Sequence, residues 1–392
     1  MEPDNTLERR NTTIRYCQKC VMPATKPDLR IDEEGVCSAC RAYERRSDVD
    51  WDARRQELVA LIEKHRNPAS GYDCLVPSSG GKDSHFQVLT ILELGFKPLV
   101  VTATTDHLTE LGRRNIENLK AQGVDYVEIT CNPVVSRKLN RIALETVGDI
   151  SWPEHVRIFT VPVRLAVQYQ IPLIIWGENS QNEYGGPAQA QENPTLDRRW
   201  LEEFGGLLGL RVSDLIGQEG VTARDLWIYT YPSQEELAHA QVTGLFLGYY
   251  VPWDGWRNQL VAQAHGLETY PHLVEGSLAN YENLDNAHTG IHDYFKYLKF
   301  AFGRATDIAS MHIRRGRLSR QAAIQICRRY DGAYPTTYLA TPLSAVLAFL
   351  GFPMPKFDAI CDRFTNRALF KTDPQGALIR RPDGSPERLN EP

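Results

Sequence analysis

The residues of this chain with the clearest capacity for chemistry form the loop Ser78–Ser84, with the sequence SSGGKDS. Its two glycines lack side chains, so the backbone could approach a phosphate group closely. The apolar run Cys74–Pro77 precedes the loop and a helix-like pattern follows it, an order that points backbone N–H groups at an anion. The spacing differs from G-x-x-x-x-G-K-S/T, which excludes a Walker loop. The sequence therefore predicts a pyrophosphate-binding loop, with Asp83 beside it to bind a metal ion.

Four of the eight cysteines lie in two close pairs, Cys17-x-x-Cys20 and Cys37-x-x-Cys40. Each C-x-x-C turn aims two thiolates at one point, and four thiolates around Zn²⁺ make a closed tetrahedral site of structural type. Two alternatives are four unbound cysteines and a redox pair, and the spacing favours a metal over both. The scattered cysteines are predicted to be buried apolar residues: Cys74, Cys131, Cys327 and Cys361.

Composition limits the class of protein. The chain has 392 residues, 42% hydrophobic and 24% charged, which suits a soluble globular enzyme of two or three domains. The net charge of −5 lacks the basic excess typical of proteins that bind nucleic acid. No apolar run has the length of a membrane span, and the polar start Met1–Asn5 is unlike a signal peptide. We therefore expect a cytoplasmic location.

Short apolar segments alternate with helical patterns from about residue 73 onward, and these elements must position the loop. The predicted strands are 73–77, 98–103, 126–129 and 172–176, with 226–229 as a possible fifth. The predicted helices between them are 83–94, 109–121, 134–147 and 154–169. This alternation predicts an α/β fold with a parallel sheet that helices cover on both faces.

Three polar segments directly follow predicted strands. The Ser78–Ser84 loop follows the first strand, Thr104–Asp106 follows the second, and Gly177–Asn179 follows the fourth. Because parallel sheets bind ligands at the carboxyl ends of their strands, we expect these segments to share one edge and one binding site.

The loop residues Ser79–Ser84, SGGKDS, resemble the S-G-G-x-D-S signature of the PP-loop ATP pyrophosphatase superfamily. The chain as a whole resembles one branch of it more closely, the N-acetyl sugar amidotransferases of bacterial surface-polysaccharide pathways (the WbpG/PseA-like family). The segments that carry this second resemblance are Tyr16–Cys20, Asp28–Cys40, Leu108–Asn115, Gly177–Asn179, Asn283–Asp285 and Lys299–Asp307. Residues 365–392 have no matching feature.

The resemblance implies a Rossmann-like PP-loop domain of the adenine nucleotide alpha-hydrolase type. With it we divide the chain into a tail and four-cysteine zinc module at 1–48, a linker helix at 49–70, the PP-loop domain at 71–232 and a mostly helical region at 233–392. Residues 233–392 are expected to complete the ATP-binding site and to form an interface with another protein. That protein could be a second copy of this chain.

The resemblance also implies a reaction. ATP adenylates the carbonyl oxygen of an N-acetyl group on a sugar, pyrophosphate leaves, and ammonia then displaces AMP to give an acetamidino sugar. The expected cofactors are ATP, Mg²⁺ and structural Zn²⁺, in an enzyme of lipopolysaccharide, O-antigen or other surface-glycan biosynthesis. Two acceptors fit the sequence equally, a UDP-linked di-N-acetylated uronic acid and a nine-carbon sialic-acid-like sugar.

The expected site residues come from the loop, the strand ends and the late matching segment. The expected ATP-binding residues are Ser79, Gly80, Gly81, Lys82, Asp83, Ser84, Thr104, Asp106, Gly177, Glu178 and Asn179. The expected catalytic residues are Asp83, which would also bind Mg²⁺, Lys299 and Arg304. The expected zinc ligands are Cys17, Cys20, Cys37 and Cys40.

Several of these side chains have a plain structural alternative. Asp106 could equally be a helix N-cap, and Glu178 with Asn179 could cap a loop. Arg113 and Arg114 could have a functional role or only solvate a helix face. Sugar-hydroxyl binding and the start of a helix both suit the polar residues Asn283, Asp285, His288 and His292.

The chain lacks the sequence marks of a glutaminase. An N-terminal-nucleophile glutaminase needs Cys directly after Met1, where this chain has Glu2, and no cysteine has the setting of a nucleophile elbow. We therefore expect partner proteins to supply ammonia, by resemblance a glutaminase and cyclase-like pair. The alternatives are a PP-loop tRNA thiolase or other RNA-modifying enzyme, which the negative charge disfavours, and a nucleotide-sensing scaffold.

Overall fold

A computed structural model describes residues 13–196, 205 and 207–392. The predicted polar tail at 1–14 lies almost entirely outside the described residues, as does Gly206 of a loop predicted at Gly205-Gly206. Every predicted site residue lies within them.

A parallel five-stranded sheet lies at the centre of the described structure. Its strands are β1 Cys74–Pro77, β2 Pro98–Ala103, β3 Asp125–Ile129, β4 Leu173–Trp176 and β5 Thr243–Phe246. Their spatial order is β3-β2-β1-β4-β5, and every neighbouring pair is parallel. Four predicted strands coincide with β1 to β4, so the predicted α/β fold with a parallel sheet is confirmed.

The fifth strand is not the predicted one. Residues 226–229 have a strand-like pattern, but Trp227–Tyr229 forms a single 3-10 turn. Tyr229 is buried there and its hydroxyl hydrogen-bonds with Ser136 Oγ at 2.8 Å, so this apolar run packs against a helix instead of the sheet edge. β5 pairs with β4 and lies beyond residue 232. The sheet therefore extends into the region predicted to be helical.

Helices cover both faces of the sheet. The described α-helices that precede β4 in the chain are α1 Ser38–Glu44, α2 Trp51–His65, α3 Lys82–Glu93, α4 Glu110–Lys120, α5 Pro133–Val147 and α6 Trp152–Tyr169. Side chains alternate along β1, so Val76 packs in one core with Val88 of α3, and Leu75 packs in another with Val161 of α6. The two-sided burial explains why β1 and β2 read as continuous apolar runs.

Local signals explain where the helices begin. α4 starts after Thr109, whose Oγ1 accepts a hydrogen bond from Gly112 N at 2.9 Å. α5 starts after Asn132, whose side chain caps it, with Pro133 in its first turn. Gly148 ends α5 with a φ of +62°, a conformation that costs glycine little.

The rest of the described chain is mostly helical. Its α-helices are α7 Ser180–Tyr184, α8 Ala188–Glu192, α9 Gln234–Ala240, α10 Leu247–Tyr250, α11 Gly255–Ala264, α12 Thr289–Phe300, α13 Arg304–Arg314, α14 Arg320–Tyr330, α15 Leu343–Leu350 and α16 Met354–Phe364. A short antiparallel pair, β6 Thr337–Tyr338 and β7 Thr341–Pro342, precedes α15. Phe295, Leu347 and Phe357 join α12, α15 and α16 in one core.

In the part of the chain that the structure describes, no single helix is long and apolar enough to cross a membrane. The adjacent helices α15 and α16 would qualify only as a joined pair, and they meet at an angle of 95°. Their residues Leu350 and Phe357 are fully buried in the protein core.

The strand order reverses between β1 and β4. In open parallel sheets such a reversal opens a crevice at the carboxyl ends of the two strands, where ligands bind. The Ser78–Ser84 loop leaves β1 at this edge, and Gly177–Asn179 leaves β4 beside it. The fold therefore brings together two of the three polar segments that the sequence singled out.

Candidate functional site

The loop between β1 and α3 is held in shape by its own hydrogen bonds. Ser79 N donates to Ser84 Oγ at 3.0 Å, and Gly80 N donates to Ser78 Oγ at 3.0 Å. Gly80 has a φ of +80°, and a Cβ there would lie 2.7 Å from Cγ1 of Ile116. Only glycine fits this position without strain. The serines therefore shape the loop, and Gly80 allows its tight turn.

Helix α3 begins in this loop after Gly81, and no side chain caps its start. The first N–H groups of a helix lack an intrahelical partner and carry the positive end of the helix dipole, so they can bind an anion. A cavity of about 180 Å³ lies at this point, and we call it the loop cavity. Its walls come from the loop, from Glu178 after β4, and from Tyr281–Asp285 and Arg304 of the later chain.

Lys82 is fixed between two carboxylates of the cavity. Its Nζ lies 2.7 Å from Asp83 Oδ2 and 3.0 Å from Glu282 Oε1. Burial would lower the pKa of Lys82, but the two carboxylates outweigh it and raise that pKa, so the ammonium stays charged. Asn258 Nδ2 donates to the other oxygen of Asp83 at 2.8 Å. Asp83 is thus oriented from two sides, while 33% of its side chain remains exposed.

Acidic side chains outnumber basic ones around the loop cavity. The acidic lining residues are Asp83, Glu178, Glu183, Glu282 and Asp285, against Lys82 and Arg304. Burial, then the nearby carboxylates of Asp83 and Glu183, raise the pKa of Glu178 to about 8. Burial also raises the pKa of Asp285 to about 6. A divalent cation relieves such crowding, and Mg²⁺ prefers carboxylate oxygens, so Asp83 and Glu178 fit a magnesium site.

Arg304 reaches the cavity from the first residue of α13. Its guanidinium donates two hydrogen bonds to the carboxylate of Asp293, at 2.9 and 3.2 Å. Burial would lower the pKa of Arg304, but Asp293 and Asp307 raise it well above its usual value. The cavity therefore has a second fixed positive charge besides Lys82.

The segment after β2 does not reach the loop cavity. Asp106 Oδ1 accepts a hydrogen bond from Arg157 Nη1 at 2.6 Å, in an ion pair whose side chains are 5% and 1% exposed. Thr109, not Asp106, caps the following helix. Thr104 is buried, and its Oγ1 accepts from Thr130 Oγ1 at 3.4 Å. Asp106 is therefore not the helix cap, and it lies outside the lining of the loop cavity because its carboxylate pairs with α6.

Lys299 is also remote from the loop. Its Nζ donates to the carbonyl of Val147 at 2.7 Å and lies over the ring of Phe364. Val147 is the last residue of α5, where a lysine satisfies an otherwise unpaired carbonyl. The structure therefore brings only one of the two predicted late cations, Arg304, to the cavity.

The three residues that follow β4, Gly177–Asn179, lie in different environments. Glu178 alone lines the loop cavity. Asn179 caps α7 by accepting from Gln181 N at 3.0 Å, and its Nδ2 donates to Ala190 O at 2.7 Å. Gly177 packs closely, since a Cβ there would lie 3.2 Å from Gln87 Oε1. The cap explanation thus holds for Asn179, whereas Glu178 faces the cavity and its predicted role in binding stays a prediction.

Residues to which the sequence analysis gave no individual role also line the cavity, including Asn115 and Glu282. Asn115 is buried, and its amide exchanges two hydrogen bonds with the backbone of Glu268, at 2.9 and 2.8 Å. The neighbouring Arg113 and Arg114 instead form ion pairs with acidic residues at the surface. The two arginines were considered in the sequence because they are charged. Asn115, the uncharged residue beside them on α4, is the one that lines the cavity.

The late polar residues occupy three environments. Asn283 and Asp285 line the loop cavity. His288 is fully buried, and neither of its ring nitrogens has a hydrogen-bond partner. His292 Nδ1 lies 2.8 Å from Asp149 Oδ1, away from these groups. The sequence cluster is therefore not one site.

The four clustered cysteines meet at one point. Their Sγ atoms all lie within 4.8 Å of one another, the residues are buried, and none forms a disulfide. Cys17 Sγ lies 3.9 Å from Cys40 Sγ, and Cys20 Sγ lies 3.6 Å from Cys37 Sγ. Sulfurs bound tetrahedrally at about 2.3 Å from zinc are about 3.8 Å apart. The cluster could therefore hold a metal ion, and its dimensions fit zinc.

The cysteine module is tied to the two helices on either side of α13, the helix that begins with Arg304. Thr25 Oγ1 donates to Phe300 O at 2.6 Å, at the end of α12. Arg320 of α14 donates to the carbonyls of Cys17 and Cys20 at 3.3 and 3.1 Å. The metal cluster can thus stabilise the cavity wall without contributing to its chemistry.

Comparison with known proteins adds one family. Residues 275–381 match the family described as LPS biosynthesis protein WbpG-like, C-terminal domain. No curated protein matches the chain. The match supports the resemblance to the WbpG-like family over this stretch of the chain. The matched stretch contributes Glu282, Asp285 and Arg304 to the loop cavity.

Proposed function

Since residues 275–381 form a WbpG-like C-terminal domain, we propose that this protein is the synthetase subunit of an ATP-dependent amidotransferase. It adenylates the N-acetyl carbonyl of a sugar or sugar nucleotide and then exchanges AMP for ammonia, which gives an acetamidino sugar. The observation that carries the proposal is the loop cavity, where the SGGKDS loop and the WbpG-like domain line one space. The product would serve lipopolysaccharide, O-antigen or another surface glycan, and the enzyme would work in the cytoplasm.

The phosphates of ATP are expected at the start of α3. The uncapped N–H groups of the helix and the ammonium of Lys82 supply positive charge there, and Gly80 keeps the backbone open to close approach. The site lies at the reversal of the strand order, where Rossmann-like sheets bind nucleotides. This placement supports membership of the PP-loop superfamily, with residues 71–232 as most of that domain and β5 as the fifth strand of its sheet.

The proposed chemistry has two steps. The amide oxygen of the N-acetyl group attacks the α-phosphorus of ATP, and the bond to pyrophosphate breaks. Ammonia then adds to the activated carbon, loses a proton, and AMP leaves with the former amide oxygen. Lys82 and Arg304 are suited to hold the negative charge that develops on the phosphates, because both stay ionised in the cavity.

Magnesium is expected between the two sides of the crevice. Asp83 and Glu178 would hold it, and when bound it would neutralise charge on the pyrophosphate. Glu178 binds a cation only as the carboxylate, and its raised pKa means that it must first lose a proton near neutral pH.

Ammonia is proposed to come from a partner. All eight cysteines are buried, so none offers an accessible thiolate to attack glutamine. We propose a glutaminase and cyclase-like pair as the source. The buried Cys74 also argues against an RNA thiolase, which would need a reactive thiol near the loop.

The decisive measurement is exchange of labelled pyrophosphate into ATP by the purified chain. We expect exchange only when an N-acetylated acceptor is present, and we would compare a UDP-linked di-N-acetylated uronic acid with a nine-carbon sialic-acid-like sugar. Full turnover should occur with ammonium and not with glutamine alone. Exchange without any sugar, or none with either acceptor, would contradict the proposal.

A matched pair of variants localises the activity. Asp83→Asn removes the proposed magnesium ligand and should lower exchange about 100-fold or more, as lost electrostatic stabilisation commonly does. Asp125→Asn is the control, because Asp125 lies at the exposed start of β3 and pairs with Lys97 at the surface. It should leave exchange within about twofold.

A further inference from the structure

A second group of metal-ligating side chains lies outside the loop cavity and the cysteine module. Asp149, His155 and His292 each present a ligand atom, and these atoms lie within 4.8 Å of one another. We call this group the His-Asp-His cluster. It includes His292, which the proposed reaction leaves without a role.

Three separate elements converge to form the cluster. His155 is in the first turn of α6 and His292 is in the first turn of α12, while Asp149 lies in the turn between α5 and α6. Ser151 N donates to Asp149 Oδ1 at 2.9 Å and fixes the carboxylate. The two imidazole rings are 5.1 Å apart and nearly perpendicular. Helix starts and a buried carboxylate thus hold the three ligands in place.

Hydrogen bonds within the His-Asp-His cluster leave one of its ring nitrogens without a partner. His292 Nδ1 lies 2.8 Å from Asp149 Oδ1, which is a normal hydrogen bond. His155 Nδ1 is 3.5 Å from Asp149 Oδ2 and, although this nitrogen is buried, it has no hydrogen-bond partner. A buried ring nitrogen without a partner is costly. A single cation between the three side chains would satisfy both rings and the carboxylate at once.

We propose that Asp149, His155 and His292 bind a divalent transition-metal ion, with Zn²⁺ as the ion to test. A set of two imidazole nitrogens and one carboxylate oxygen suits zinc and similar first-row transition metals better than it suits magnesium or calcium. Zinc binds such atoms at about 2.0–2.2 Å, so small side-chain rotations would bring all three into reach. Three protein ligands leave one tetrahedral position for water or another oxygen.

The surrounding charges are compatible with the ion. Lys299 and Arg304 are the cations whose charges act on Asp149 and His155. Each has a partner of its own, since Lys299 donates to Val147 O and Arg304 is paired with Asp293. The carboxylate of Asp149 therefore remains available to the metal.

The cluster lies near the edge of the sheet that also carries the Ser78–Ser84 loop. Asp106 N, at the end of β2, donates to Glu154 Oε1 at 3.0 Å, so the first turn of α6 lies at the carboxyl edge of the sheet. That is the edge at which the Ser78–Ser84 loop leaves β1. The metal site nevertheless stands by itself and does not depend on the proposed amidotransferase reaction.

Metal counting on the full chain tests the proposal. After incubation with excess zinc chloride and desalting, mass spectrometry of the metal content should find two zinc ions per chain, one in each cluster. His155→Ala and His292→Ala should each bind one, and so should Cys17→Ser. His239→Ala is the matched control, because His239 is exposed on α9, and it should keep two.

Cobalt provides a readout that needs no variant. Titration of the metal-free wild-type chain with cobalt chloride should show two bound ions per chain, with thiolate-to-cobalt charge-transfer absorption from only one of them. A single zinc or cobalt per wild-type chain would overturn the proposal. So would two zinc ions retained in both histidine variants, because the second ion would then lie elsewhere.

Discussion

The cysteine module and the loop cavity are built in opposite ways. The four cysteines lie between residues 17 and 40, and short backbone turns aim them at one point. The cavity takes its walls from residues as far apart as Ser79 and Met311. The first is a local structure that a motif can specify, whereas the second exists only after the sheet and the later helices have packed together.

The two regions also differ in how far their polar groups are buried and paired. Every cysteine is buried and the cluster is closed, which is the character of a structural metal site. The cavity keeps Asp83 partly exposed and lacks a side-chain cap on α3. Closed sites stabilise a fold, and open sites with unpaired donors bind ligands. Four predictions test this contrast.

The largest effect is expected in the module. Cys17→Ser removes one metal ligand and should unfold the module, because zinc binding contributes about 10–16 kcal/mol of apparent free energy to small domains of this type. Metal content should fall by one ion per chain, and limited proteolysis should cut within residues 13–44.

Cys361→Ala is the control for that change. Cys361 is buried in the separate core of α12, α15 and α16. Its truncation should cost stability without loss of metal. Equal metal loss in both variants would mean that the cysteine module is not an independent site.

The second prediction separates the two late cations. Arg304→Gln removes a charge from the loop cavity and should lower pyrophosphate exchange about 100-fold. Lys299→Gln removes contacts that lie outside the cavity, with the Val147 carbonyl and the Phe364 ring, and should change exchange less than about threefold. Both are assayed at a temperature where circular dichroism shows a folded chain. A larger loss in Lys299→Gln would contradict the assigned cavity.

The third prediction concerns the loop backbone. Gly80→Ala should weaken ATP binding at least about tenfold, because its Cβ would meet Ile116 and force the loop to shift. Gly95→Ala is matched to it, since Gly95 has a similar φ of +83° but no atom within 4 Å of a Cβ. Calorimetric titration with ATP should show normal affinity for Gly95→Ala. Equal affinities would mean that the loop does not contact the nucleotide.

The smallest expected effect is a dependence of the free energy of unfolding on pH, caused by the buried His288. Burial lowers the pKa of His288 to about 3, so the unfolded chain takes up a proton near pH 6.5 that the folded chain cannot. Stability is therefore lost as pH falls, by about 2 kcal/mol at pH 5.

Urea unfolding at pH 7 and pH 5 measures this change. His288→Phe keeps an aromatic ring beside His107 and Phe349 and should remove about 2 kcal/mol of the difference between the two pH values. Loss of metal from the cysteine module in acid affects both proteins equally, so the comparison isolates His288. An unchanged pH dependence in the variant would show that His288 is not the group responsible.

The sequence predicted most of the sheet and part of the cavity. Strands β1 to β4 are apolar runs between clear turn signals, and all four were found within about two residues. β5 was missed because Thr243–Phe246 is no more apolar than the 3-10 turn at 227–229, and only pairing with β4 distinguishes the two. Propensity is a local quantity, and pairing is not.

The same limit applies to the site residues. Asp83 and Glu178 were predicted from their strand ends and do line the cavity. Asp106 has an equivalent position after β2, yet Arg157 on α6 takes its carboxylate. Glu282 was missed because no local pattern shows that it will meet Lys82.

By itself, the sequence determined the glycine-containing turn between β1 and α3, the pairing of four cysteines that could hold a metal ion, and the alternation that produces a parallel sheet. These depend on bond geometry, glycine torsions and side-chain periodicity, which act over a few residues. The tertiary structure decided which charges face the loop, that Arg304 and not Lys299 joins them, and that two distant histidines meet one aspartate. Such contacts depend on how helices pack on the sheet, and packing joins residues that are far apart in the chain.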